Sequence, residues 1–111
     1  MSQFMLLLYD EPSIWKTLSP EEAQKTMERY MAWAKQPYNK LSKRLAPDLG
    51  KVLRTKDGAK RATDGPYSET KEVCGGFYMI EAADYDEAVK ISLTHPHLDF
   101  GTIEVRKLWE A

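Results

Sequence analysis

A chain of 111 residues has room for one core but not for a cofactor domain beside a substrate domain, so a single domain over residues 1–111 is expected. Its 16 Lys and Arg against 17 Asp and Glu give no electrostatic footprint for direct nucleic-acid or membrane binding, which leaves a small polar ligand or a protein as partner. Cys74 is the single cysteine; it excludes an internal disulfide, fits a reducing compartment and reads first as a small buried apolar residue. The Phe4 to Tyr9 run is far too short for a membrane span or a secretory signal, so a cytoplasmic protein is expected.

Gln3 to Tyr9 is strand-length and apolar at both parities, which predicts a central strand covered on both faces. Ser19-Pro20-Glu21-Glu22 opens a helix, with Ser19 as N-cap, Pro20 in the first helical position and Glu22 closing a capping box. The spacing of Ala23, Met27, Tyr30, Met31 and Ala34 gives that helix one apolar face, and Pro37 ends it near Gln36. A short strand is expected near Ser42 to Pro47. After it, Asp57-Gly58 turns Lys51 to Lys56 back onto Ala59 to Thr63 as a hairpin.

Gly75-Gly76 lead into Phe77 to Ala82, rich enough in aromatic and branched residues for a second buried strand. Asp84 and Glu87 read as another capping box, Ala88, Ile91 and Leu93 supply an apolar helix face, and His95-Pro96 stops that helix. Thr102 to Trp109 is the last strand, with Ile103 and Val105 on one face and Glu104 and Arg106 on the other. The order strand, helix, strand, hairpin insertion, strand, helix, strand is the α+β plan of a ferredoxin-like split βαβ fold. Both helices cover one sheet face in that plan, yet Phe4 to Leu8 and Phe77 to Ile80 carry large apolar residues on both. A second copy of the chain is expected to cover the other face, making a homodimer.

The densest chemistry lies in Asp64-Gly65-Pro66-Tyr67-Ser68-Glu69-Thr70-Lys71-Glu72, where a preset bend precedes two carboxylates, an ammonium and three hydroxyls. This run resembles the D-G-P-F-A-E-T-K-E signature of the YCII-related proteins, in the branch named for its D-G-P-F motif. Tyr67 replaces Phe and Ser68 replaces Ala, and seven of nine positions match. Further landmarks are the Met5 to Tyr9 strand, Gly75-Gly76-Phe77-Tyr78, the His95-Pro96 stop, Ile103 to Arg106 and Leu108-Trp109-Glu110. Lys40 to Arg54 departs from the pattern by being more basic. The resemblance implies a dimeric α+β barrel with a cleft between two sheets in a bacterial protein. It implies no defined reaction, since the family is largely without one.

Asp64, Glu69 and Glu72 are close enough in sequence for one carboxylate to raise the pKa of another if two converge in a partly dry cleft, which makes a general acid or base. The plainer alternative has Asp64 bonding backbone in its turn and Glu69 with Lys71 in solvent. His95, at a helix C-terminus, is a candidate base; it reads equally as a helix stop whose ring bonds a terminal carbonyl. Arg106, with Glu104 beside it on one strand face, could hold a carboxylate or phosphate through its planar fork, or pair internally. Tyr9, Tyr67 and Tyr78 could add hydroxyls, although core tyrosines with a wet tip are commoner. Asp64, Glu72 and His95 are therefore the catalytic candidates, and Arg106, Glu104 and Tyr78 the substrate-binding ones.

The His95 to Asp99 run offers three N and O ligands but neither a helical i, i+4 pair nor a second cluster, so no metal is expected. With no nucleophile elbow, phosphate-cradling loop or dinucleotide fingerprint, no cofactor is expected either. Two functions follow. One is cofactor-independent acid/base chemistry of lyase, isomerase or hydrolase type on a small polar or anionic molecule in the dimer cleft. The other is a non-catalytic ligand-binding or regulatory module, which the resemblance associates with sigma-factor-linked transcription control.

Overall fold

The computed structural model describes residues 1–67 and 71–110; Ser68, Glu69 and Thr70 of the signature loop lie outside the described residues, and with them the expectation for Glu69. Strand β1 (Ser2–Asp10) pairs antiparallel with β5 (Val73–Ala82) on one side and β6 (Thr102–Lys107) on the other, and β2 (Asn39–Arg44) closes the far edge along β5. The order β2-β5-β1-β6, with α1 (Pro20–Ala34) and α2 (Tyr85–Ser92) between strands, is the ferredoxin-like α+β arrangement expected from the sequence. Among the described residues, strands β3 (Lys51–Lys56) and β4 (Ala59–Asp64) pair only with each other. Asp57 and Gly58, both at positive φ, make their turn, as a two-residue hairpin loop demands. Among the described residues no helix is long and apolar enough to cross a membrane.

The core lies between the sheet and the helices. Phe4, Leu6 and Leu8 of β1 and Tyr78, Ile80 and Ala82 of β5 are buried against Trp33 and Ala88. The intervening residues Met5, Leu7, Phe77 and Met79 face the other way and are only half-buried. The chain's own helices thus cover one face of β1, as the plan with both helices on one side of the sheet expects.

The α1 start follows the sequence in detail: Ser19 Oγ accepts from the Glu22 N–H and the Glu22 carboxylate from the Ser19 N–H, each at 3.1 Å. Its buried face is rotated from the expected one. Tyr30 and Ala34 pack on the core, but Thr26 and Trp33 are the buried members, while Ala23, Met27 and Met31 stay exposed. The i, i+4, i+7 series Thr26, Tyr30, Trp33 buries the largest ring, and one Trp outweighs two methionines in area and ring contacts. Trp33 stacks edge-on to Tyr78 and His95, with centroids 5.0 and 4.5 Å away, and donates its indole N–H to Thr94 Oγ1 at 2.9 Å.

Several boundaries shift. Helix α1 ends at Ala34, two residues before the expected Gln36, and β2 begins at Asn39 instead of Ser42. Asn39 is held there by its side-chain N–H to the Ala34 carbonyl at 2.7 Å, a helix-end contact that no period reveals. Asp84 caps α2 through the Glu87 N–H at 2.9 Å, but the Glu87 carboxylate reaches the Ala83 N–H instead of closing the box on Asp84. Leu93 falls just beyond α2 and is exposed. Cys74 is half-buried, not fully buried as its residue type suggested.

Candidate functional site

The sheet face turned away from the helices is assembled by register. Leu7 sits between Phe77 and Glu104, Met5 between Met79 and Arg106, and Tyr9 between Cys74 and Thr102, while Leu41 of β2 pairs Met79. Cross-strand partners share a face, so Met5, Leu7, Phe77 and Met79 form an apolar floor. Glu104 and Arg106 stand along its β6 margin, on the opposite face from Ile103 and Val105, which pack on the core. The sequence expectation for this strand is met: its charged pair faces away from the helices.

The margin is knit together. The Tyr9 hydroxyl donates to Glu104 Oε1 at 3.1 Å, and the other Glu104 oxygen lies 3.7 Å from Arg106 Nη1. Burial first, then the bond to Glu104 and its charge, raises the pKa of Tyr9, so the phenol is held in its donor form. Glu72, just before β5, accepts the Thr102 hydroxyl at 3.2 Å, and Thr102, Glu104 and Arg106 alternate onto one face of β6. Glu72 therefore joins the same margin as Glu104 and Arg106. An acceptor, a protonated phenol and a guanidinium beside an apolar floor can hold a flat or short-chain molecule by its anionic group and exchange a proton with it.

The remaining candidates lie elsewhere. Asp64 ends β4 on the separate hairpin, exposed and ion-paired to Lys51 across it. The Gly65–Pro66 peptide beside it is cis, and the Gly65 N–H bonds the Gly50 carbonyl at 2.9 Å. Tyr78 and His95 lie on the helix side of the sheet, their rings 4.7 Å apart. His95 Nδ1 accepts the His97 backbone N–H at 2.9 Å, which puts the ring proton on Nε2. Nε2 is buried without a polar partner, among the rings of Trp33, Tyr30 and Tyr78. Burial, with a contribution from nearby His97, pushes the His95 pKa down to about 3. A neutral ring whose one lone pair is already engaged cannot collect a proton from a substrate on the other side of the sheet. His95 and Tyr78 are packing and capping residues in this geometry, and the base expected at His95 has no access to the Glu104–Arg106 margin.

Sequence reasoning passed over a second polar cluster beside His95. His97 Nε2 donates to the Tyr9 carbonyl at 2.9 Å, so its Nδ1 accepts the Tyr30 hydroxyl, at 2.7 Å. Asp10, also buried, lies 4.0 Å from His97 Nε2. These contacts tie the 3-10 turn Pro96–Asp99 to β1 and α1. Asp99 turns outward to Arg29 at 2.9 Å. Among the described residues no group of three or more His, Cys, Asp or Glu side chains is arranged to hold a metal ion. Tyr9 was readable as a member of the open face, because it shares the odd parity of Met5 and Leu7. Asp10 with His97 carries no such signal.

Comparison with known proteins agrees with this architecture. A 5-chloro-2-hydroxyhydroquinone dehydrochlorinase from Burkholderia phenoliruptrix, solved in complex with 2,5-dihydroxybenzoquinone, superposes with a TM-score of 0.57 at 15% identity, covering 98% of this chain and 95% of that one. At that identity the likeness concerns the fold. A Rhizobium meliloti protein described as uncharacterized is 33% identical over 113 residues, covering 95% of this chain and 90% of its own length. The YCII-related domain matches residues 2–111, and the chain belongs to that family.

Proposed function

We propose that this protein binds a small polar or anionic molecule on the open sheet face, in a cleft that a second copy of the chain closes, and that it performs cofactor-independent acid/base chemistry there. The carrying observation is the Tyr9–Glu104–Arg106 constellation on the face that the helices leave uncovered, beside Met5, Leu7, Phe77 and Met79. Arg106 would hold the anionic group through its planar fork. Glu104 would take a proton and Tyr9 would return one, the phenol being kept protonated by burial and by its carboxylate neighbour. Glu72 and Thr102 would border the same space.

The second copy is supported by the apolar floor itself, since contiguous apolar surface of this kind is rarely left in water. The solved protein of like fold is named a dehydrochlorinase and holds a dihydroxybenzoquinone, so hydroxylated aromatic acids and quinones are the first molecules to screen.

The test is titration calorimetry and turnover on purified protein against such a panel. Arg106→Ala is expected to weaken binding of anionic members by at least about tenfold, the loss of one charge-assisted hydrogen-bonding group. Tyr9→Phe should lower turnover by about a hundredfold while leaving binding near that of the parent. Binding without turnover in the parent would favour the ligand-binding module. Ligand affinity indifferent to Arg106, Glu104 and Tyr9 would move the site elsewhere.

A further inference from the structure

The β3–β4 hairpin stands as a sheet of its own, and all its strand residues are exposed except half-buried Val52. A lone two-stranded hairpin is marginal in water and needs a further layer. The dimensions of the chain register the same deficit. Its radius of gyration is 16.0 Å, where a compact chain of this length has about 13 Å. It exposes 8127 Å², where a compact chain of its 12.8 kDa exposes about 6,300 Å². The surplus of about 1,800 Å² is more than the ~800 Å² per partner that a standard interface covers.

The hairpin is also charged against its own interest. Arg54 lies directly opposite Arg61, and like charges so placed destabilise a strand pair. Lys56 shares their face, and Arg54 in addition stacks on Tyr67, 5.2 Å from its ring centroid. On the other face Leu53, opposite Ala62, is 76% exposed. The near-zero net charge conceals a segregation. The hairpin, residues 51–64, holds five of the 16 Lys and Arg but two of the 17 Asp and Glu, so it carries +3 and the rest of the chain −4.

We propose that the β3–β4 hairpin is a clasp that docks on a second copy of this chain, with Arg54, Arg61 and Lys56 set against the acidic body of that copy. Each chain then offers both halves of the contact, a cationic arm and an anionic body, as a two-fold interface requires. An arm lodged between two bodies covers both hairpin faces at once. A nucleic-acid backbone would neutralise the arginine face only, would leave Leu53 in water and would be repelled by the −4 body. The inference rests on the second copy invoked above to close the sheet cleft, and adds to it the segment that holds the copies together.

The experiment is sedimentation equilibrium of the full chain at low and high salt, with Arg54→Glu/Arg61→Glu and Phe77→Glu as separate variants and circular dichroism to verify folding. The parent should dimerise, and added salt should weaken its dimer because the clasp charges are screened. The Arg54→Glu/Arg61→Glu variant should dissociate at least about tenfold more readily, with little remaining salt dependence. Phe77→Glu reports on the sheet-face contact independently. If it dissociates the dimer while the arginine variant does not, the clasp is overturned and the cleft stands. A parent that stays monomeric overturns both. An arginine variant that dimerises like the parent but loses the parent's retention of a short DNA duplex overturns the clasp in favour of a nucleic-acid ribbon. Hydrogen exchange gives a second measure: amides of β3 and β4 that exchange freely in the dimer also overturn it.

Discussion

Gly101→Ala is expected to destabilise the protein by at least about 3 kcal/mol, the upper range for overpacking a rigid site. A Cβ on Gly101 would run into the Tyr9 carbonyl oxygen and lie within 2.9 Å of His97 Nε2 and 3.1 Å of the Asp10 Cβ. None of these can yield cheaply. The Tyr9 carbonyl belongs to the central strand and accepts the His97 ring N–H, while that ring is fixed again by Tyr30. The added methyl would separate the Pro96–Asp99 turn from β1 and break the histidine bond that ties them. Gly58→Ala is the control. Its Cβ meets nothing within 4 Å and only its φ of +77° resists the change, so a loss of about 1 kcal/mol is expected. Urea unfolding of both variants checks the contrast, and equal losses would mean that the turn can slide away from β1 at little cost.

Lowering the pH from 7 to 5 is expected to remove about 2 kcal/mol of stability through His95 alone. The folded ring is held neutral down to about pH 3 by burial and by its neighbour His97, whereas in the unfolded chain it titrates near 6.5. Between those values the unfolded state binds one more proton, so protonation pulls the equilibrium toward unfolding. This contribution is fully present above about pH 6.5, declines by up to about 1.4 kcal/mol per pH unit as the pH falls, and is gone below about 3. The rings of Trp33, Tyr30, Tyr78 and His97 surround the group, and the Asp10 carboxylate lies beyond His97. His95→Asn keeps an acceptor for the His97 N–H and removes the titration. The variant should be less stable than the parent at pH 7 and lose less on going to pH 5, measured by urea titration at each pH. Parallel pH profiles would assign the parent's acid sensitivity to other groups.

Local chemistry was legible wherever one stretch of backbone dictates its own conformation. The Ser19–Glu22 box, the Asp57–Gly58 turn and the Asp84 cap all formed from their residue types, because each satisfies its partners within four residues. The helix-face reading failed where two apolar series compete on one helix. Choosing Thr26, Tyr30 and Trp33 over Ala23, Met27 and Met31 depended on the rings that Trp33 meets on β5 and in the Thr94–His95 segment. The candidate site divided in the same way. Strand parity put Glu104 and Arg106 on the face opposite the core, but no pattern told that Tyr78 and His95 would be enclosed on the other side.

By itself the sequence determined the order of elements, the ferredoxin-like plan, the hairpin and the two faces of β6, since periodicity and capping are properties of neighbouring residues. Only the tertiary structure decided which carboxylate meets which donor. Tyr9 with Glu104, Glu72 with Thr102 and His97 with the Tyr9 carbonyl join residues far apart in the chain, brought together by strand pairing and by the turn after α2. It decided as well that the basic stretch is split, β2 joining the four-stranded sheet while β3 and β4 form a hairpin apart from it. Charge counted along a chain says nothing of where folding sends it.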